Sequence, residues 1–178
     1  EMRTKVKAMS YGLAYGLSAF GLARQLRIDN KEAKTLMADY FERFGGVRDY
    51  LRSVVEEARD RGYTETLFGR RRPFPDLTSP NHILRANAER QALNAPMQGT
   101  AADIMKVAMN RIEEQLVAEE FSSRLLMQVH DELLLEVTSG EEDRVRELVT
   151  HHMSTAASLS VPLDVQVGRG GTWNEAAH

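Results

Sequence analysis

Three residues near the start of the chain, Arg3, Lys7 and Tyr11, recur at intervals of four. On a helix that spacing turns each about 40° from the last and spreads the three over roughly 12 Å of one side. Two cations followed by a flat phenol suit a nucleoside triphosphate, with its phosphates against Arg3 and Lys7 and its sugar and base against Tyr11. An ordinary solvated basic face carrying a half-buried tyrosine has the same pattern. Far downstream, His130-Asp131-Glu132 interrupts two apolar runs. A carboxylate at such a turn can hold magnesium, which takes oxygen ligands, keeps several waters and links carboxylates to phosphates. A hydrogen-bonded turn residue is the plain alternative. Arg90, Asn94 and Gln98 also fall at spacing four and share one side of a helix, and Arg70-Arg71-Arg72 is either a phosphate-holding run or an exposed basic turn. His151, His152 and His178 lack ligand spacing and are assigned no metal.

The elements that must carry these residues follow from periodicity and punctuation. Met2 to about Tyr15 reads as a helix stopping near Gly16, and Gly12 and Gly16 within that stretch point to close approach of another body. Ser18 caps a short second helix to Leu26. Asp29-Asn30-Lys31-Glu32 resembles a capping box and opens a third, with an apolar stripe through Ala33, Leu36, Met37, Tyr40, Phe41 and Phe44 that Gly45-Gly46 ends. Val47 to Arg61 is a further helix. Tyr63 to Phe68 is extended and leads into a basic loop, Gly69 to Pro73. Asn81 to about Leu116 is helical but contains Pro96 and Gly99, which predicts two helices or one kinked near Asn94 to Gln98. Arg124–Val129 and Glu132–Val137 form a tight hairpin around His130-Asp131. Gly140-Glu141-Glu142 precedes an amphipathic helix to about Ala157, and Val161 to Val167 is a last strand with a proline at its start.

Composition bounds the chemistry. The 178 residues are 42% hydrophobic and 28% charged, which excludes disorder, and no apolar run reaches the roughly 18 to 20 residues of a membrane-spanning helix. The chain has no cysteine, which excludes disulfides and thiolate chemistry, leaves oxygen or imidazole as metal ligands, and fits a cytoplasmic setting. The net charge of −3 divides unevenly: through Pro73 there are 15 basic and 10 acidic residues, and from Phe74 onward 8 basic and 16 acidic. A basic part suits polyanions and an acidic part divalent cations, although both could be solvated faces.

Arg3-x-x-x-Lys7-x-x-x-Tyr11-Gly12-x-x-Tyr15-Gly16 resembles the fingers-helix motif of the family A DNA polymerases, the bacterial DNA polymerase I group. Gln128-Val129-His130-Asp131-Glu132-Leu133 is similar to the palm hairpin that carries one of that family's two metal-binding aspartates. Arg61 to Arg72 and Asn94 to Asp103 resemble further stretches of the family in the same order, so the likeness covers essentially the whole chain. The resemblance implies Asp131 as a metal ligand and catalytic carboxylate, Glu132 as a secondary carboxylate and His130 close to the primer end. It implies Arg3 and Lys7 on the incoming nucleotide's phosphates, Lys7 as a proton donor to pyrophosphate, and Tyr15 as the aromatic stacking at the templating position. Tyr11 stands where many relatives carry phenylalanine, and its hydroxyl predicts poor discrimination against dideoxynucleotides. Arg90, Asn94 and Gln98 would face the duplex minor groove, where every correct pair presents acceptors, and Arg70 would hold backbone phosphate.

The implied activity is template-directed DNA synthesis by a nucleotidyltransferase that uses two magnesium ions, primer-template DNA and deoxyribonucleoside triphosphates. The expected fold is α+β: a helical fingers subdomain over 1–73, then the C-terminal part of a palm over 74–178 with a short antiparallel sheet. Nothing precedes Arg3 but Glu1 and Met2, so the family's first catalytic aspartate and the thumb would belong to a missing N-terminal portion, and this chain alone is expected to be inactive. A single-subunit phage-type RNA polymerase and a noncatalytic nucleic-acid-binding module derived from a polymerase remain as alternatives.

Overall fold

A computed structural model of the chain describes residues 2–14 and 16–176. They form an α+β molecule rich in helix, with two separate two-stranded antiparallel sheets. Two compact units divide it, residues 1–99 and 100–178.

The first unit begins with α1 (Met2–Ala14), α2 (Ala19–Leu26) and α3 (Asn30–Arg43). Gly16 ends α1 in the left-handed region at φ +71°, a conformation that costs glycine little. Ser18 Oγ accepts from Gly21 N–H at 3.2 Å to cap α2, and Asp29 Oδ1 accepts from Glu32 N–H at 2.7 Å to cap α3, as their sequence positions predict. Leu22, Ala23 and Ala33 are buried where α2 and α3 meet, with Met9 and Leu17 packed alongside. The close approach foreshadowed by Gly12 is made by the chain itself, since a Cβ there would lie 2.8 Å from Leu17 Cδ2.

The next helix, α4 (Gly45–Arg61), starts at the glycine pair rather than after it. The break falls one residue earlier, at Phe44 (φ −120°, ψ 54°), whose N–H still bonds Tyr40 and whose ring lies 4.9 Å from the Tyr40 ring. Glycines in a first turn forfeit no intrahelical N–H bond, because those donors have no helical partner in any case. Gly62 closes α4 with a left-handed cap, and β1 (Tyr63–Glu65) pairs with β2 (Arg71–Pro73). The predicted basic loop is therefore half strand: Glu65 opposite Arg71 supplies the cross-strand charge pair that extends the ladder.

A single helix, α5 (His82–Ala118), runs through Pro96 without interruption and passes from the first unit into the second. Pro96 withholds the N–H that Ala92 would otherwise receive. Burial of Ala92 and Ala95 with Ala58, Phe74 and Leu77 holds the helix through that gap, which is how tertiary packing overrides a local breaker.

In the second unit, β3 (Arg124–Val129) and β4 (Glu132–Glu136) form the expected hairpin, irregular between Leu125 and Met127. Leu133 and Leu135 pack against Ile112, Leu116, Val145, Leu148 and Val149 from α5 and α6 (Glu142–Ser154). Leu126, Met127 and Val137 remain exposed. The predicted strand over Val161 to Val167 does not form: those residues carry no ladder, and the β3–β4 sheet stays two-stranded among the described residues. A strand exists only by pairing, and Pro162 contributes no donor. A short helix, α7 (Trp173–Ala176), follows.

Candidate nucleotide and nucleic-acid interface

On α1 the side chains of Lys7 and Tyr11 are both exposed, with Lys7 Nζ 5.8 Å from the centre of the Tyr11 ring. Cation and phenol thus share one side of the helix, as their spacing requires. Arg3 lies on the same helix, but its side chain falls outside the described residues, as does Tyr15 altogether. The far end of α1 is held against α5: a Cβ on Gly16 would come within 2.9 Å of Leu93 Cδ2. The turn after that helix thereby packs on Leu93, which falls between Arg90 and Asn94 in sequence.

Arg90, Asn94 and Gln98 project from one side of α5. Arg90 is exposed and donates from Nη2 to Asn87 Oδ1, a partner three residues back that spacing alone could have suggested. Asn94 is half-buried, and its Oδ1 is buried with no hydrogen-bond partner among the described residues. An unsatisfied buried acceptor costs about 1–3 kcal/mol, so this position favours a donor arriving from a bound molecule. Gln98 is exposed.

The three arginines of the hairpin all have partners within their own unit. Arg70 Nη2 donates to the Gly99 carbonyl at 2.9 Å, and Arg72 Nη2 donates to Gln91 Oε1 at 3.3 Å. Arg71 Nε donates to Glu65 Oε2 at 2.7 Å and its guanidinium lies 4.7 Å from the Tyr63 ring. The Glu65 hydrogen bond raises Arg71 above its ordinary value. Thr66 and Gln91, which the sequence did not single out, and Gly99, which it marked only as a helix breaker, are the residues that fix this hairpin to α5.

In the second unit His130 and Asp131 form the two-residue turn between paired Val129 and Glu132. His130 takes φ +55°, uncommon for a residue with a side chain, and its carbonyl accepts from Gln128 Nε2 at 2.8 Å. The side chains of His130, Asp131 and Glu132 are all exposed at the hairpin tip. Adjacent carboxylates are hard oxygen donors of the kind magnesium takes. Among the described residues no three acidic or histidine side chains converge to hold a metal ion. The donors fit magnesium in kind, and the remaining ligands would have to come from water, substrate phosphate or a further carboxylate.

Beside a helix that carries Lys7 and Tyr11 on one side, a polar face on α5 and a carboxylate hairpin, the sequence places the chain among the family A DNA polymerases, to which it belongs: the model of DNA polymerase family A matches residues 1–175. Among its relatives, DNA polymerase I of Mycobacterium tuberculosis is 58% identical over 178 residues, and that of Streptococcus pneumoniae 49% identical over 174. The first alignment covers 100% of this chain and the second 98%, each taking in 20% of the relative, so the chain spans about a fifth of the length of the curated relatives it matches. A solved structure of the POL domain of Pol1 from M. smegmatis, in complex with DNA primer-template and dNTP, is similar at TM-score 0.96 and 58% identity. It covers 100% of this chain, which takes in 31% of that one. No helix among the described residues is long and apolar enough to cross a membrane.

Proposed function

We propose that this chain supplies the nucleotide-binding helix and one catalytic carboxylate of a template-directed DNA polymerase acting on a primer 3′ end. Asp131, exposed at the tip of a strand hairpin beside Glu132, is the observation that carries the reading. Its carboxylate, with Glu132 as the secondary one, would hold magnesium, which supplies charge stabilisation at the reacting phosphate. Lys7 and Arg3 bind the triphosphate through charge-assisted hydrogen bonds, and Lys7 is positioned to donate a proton to the departing pyrophosphate. Tyr11 meets the sugar and Tyr15 the templating base. Arg90, Asn94 and Gln98 face the minor groove, where their N–H groups would donate to the acceptors that every correct base pair presents. His130 lies at the primer end, and Arg70 adds charge near the backbone.

The subdomain reading, fingers over 1–73 and palm over 74–178, belongs to the same proposal, as does a cytoplasmic setting. Because the described residues assemble no complete metal site, the 178 residues alone are expected not to extend a primer. Asp131→Asn in the complete polymerase should lower primer extension at least about a hundredfold, the scale of losing one preorganised charge interaction at the reacting centre. Primer-template affinity should stay near wild type. Extension at wild-type rate would sink the assignment of Asp131.

A further inference from the structure

The β1–β2 hairpin touches α5 along a row one residue offset from the polar face. Arg72 reaches Gln91, Ala95 is buried with Phe74, which follows β2, and Arg70 reaches the carbonyl of Gly99. Positions 91, 95 and 99 are spaced by four and so form one side of the helix, directly beside Arg90, Asn94 and Gln98. The outer two contacts are about 12 Å apart along the axis and bracket Pro96, where the helix lacks a backbone bond. At the Gly99 end the approach is as close as the chain permits. A Cβ on Gly99 would lie 2.6 Å from Thr66 Cγ2 and 3.4 Å from Arg70 Nη2.

Thr66 is itself fixed. Its Oγ1 accepts from Phe68 N–H at 3.3 Å and Arg70 N–H at 3.1 Å, and its N–H donates to Arg70 O at 3.0 Å. The methyl group therefore cannot swing away without breaking the turn that aims Arg70.

From this geometry we infer that the hairpin is a splint for α5 across Pro96, and that Thr66, Arg70 and Gly99 are positioning residues that keep Asn94 and Gln98 presenting together to the primer-template. The inference rests on the reading of that face as the DNA contact. It assigns Arg70 a positioning role through Gly99 in addition to the charge it offers the backbone, and it makes the missing side chain at Gly99 a requirement for recognising a paired primer end.

The test uses the complete polymerase in four forms: Gly99→Ala, Thr66→Ser, the double variant, and Gln98→Ala. The readings are primer-template Kd, the ratio of matched to mismatched primer extension, and KM for the nucleotide. Serine at position 66 keeps the hydroxyl that holds the turn and removes the methyl that a Cβ added at position 99 would strike. Gly99→Ala should weaken primer-template binding about fivefold and narrow the matched-to-mismatched ratio, leaving nucleotide KM unchanged, as expected when one hydrogen-bonding group is displaced. Thr66→Ser alone should move either reading less than about twofold, and the double variant should recover most of the loss, the mark of two residues in direct contact.

Wild-type behaviour of Gly99→Ala, or a double variant no better than Gly99→Ala, overturns the splint. Should Gly99→Ala fail to fold, the double variant must fold and bind, and its failure overturns the splint equally. A purely structural role would leave the matched-to-mismatched ratio unmoved among folded variants, which also counts against it. If Gln98→Ala leaves binding and the ratio at wild-type values, the DNA-facing reading of α5 falls and the inference falls with it.

Discussion

Tyr11 carries a phenol that is 57% exposed beside the Lys7 ammonium, so its hydroxyl is available to a ligand lying along α1. A nucleotide without a 3′-hydroxyl has lost one hydrogen-bonding group, and a phenol at that place can restore the missing bond to its phosphates. Tyr11→Phe in the complete polymerase should therefore lower incorporation of dideoxynucleotides relative to deoxynucleotides by about tenfold, the worth of one hydrogen bond to a charged group at ~1.5 kcal/mol. An unchanged ratio in a competition assay would remove Tyr11 from the sugar site. At this scale the sequence was most legible where chain direction does the positioning. Asp131 lies at a turn because apolar runs flank it, and Lys7 meets Tyr11 because four residues bring them to one side. The hairpin arginines were less legible, because sequence displays their charge but not Gly99, Glu65 or Gln91, which occupy their guanidinium groups across 29, 6 and 19 residues of chain.

The start of α6 shows how one side chain can join three elements. Glu141 accepts from the backbone N–H of Ser122 at 3.0 Å and of Ser123 at 2.9 Å, and from Ser123 Oγ at 2.6 Å. Ser123 Oγ in turn accepts from Thr138 N–H at 2.9 Å, tying the entry of β3 to the exit of β4. The Ser122 backbone bond, followed by the Ser123 hydroxyl, holds the Glu141 carboxyl below its ordinary value of 4.5. A carboxylate lowered on folding contributes stability that is fully present above the unfolded value and is lost as pH falls from it through the folded value. Urea midpoints should thus decline as pH drops below about 4.5, and Glu141→Gln should flatten that decline, with its loss relative to wild type largest near neutrality and smallest at the acid end. Parallel acid limbs for the two proteins would show that this carboxylate carries no linkage. Element boundaries were readable where caps are local: Asp29 and Ser18 act within three residues of themselves. They were unreadable where packing decides, as at Pro96, which the buried alanines of α5 carry through a continuous helix, or at Val161 to Val167, where the sequence alternates but no partner strand pairs with it.

The chain keeps separate apolar cores, one at Leu22 and Ala33, one around Ala58 and Phe74, and one around Ile112, the last wholly within residues 100–178. Ile112 is fully buried, so Ile112→Ala should cost about 2–5 kcal/mol. Hydrogen exchange should show that loss at amides of α6 and the β3–β4 hairpin, with α2 and α3 near wild type, since distant sites without shared partners respond independently. Equal loss in α2 and α3 would mean that the two units open as one. Charge in the sequence changes sign near Pro73, whereas contacts divide the molecule at Gly99, because electrostatic composition reports what a surface faces and contacts report what a core encloses. The two-stranded β3–β4 sheet has a further consequence at this scale. Each strand keeps one unpaired edge among the described residues, and Leu126, Met127 and Val137 are exposed beside it. Such an edge is a template for any extended chain, including a second copy of itself. Prepared by itself, the segment would meet its practical limit in self-association during concentration, and short-lived dilute samples would preserve it better than cold or salt.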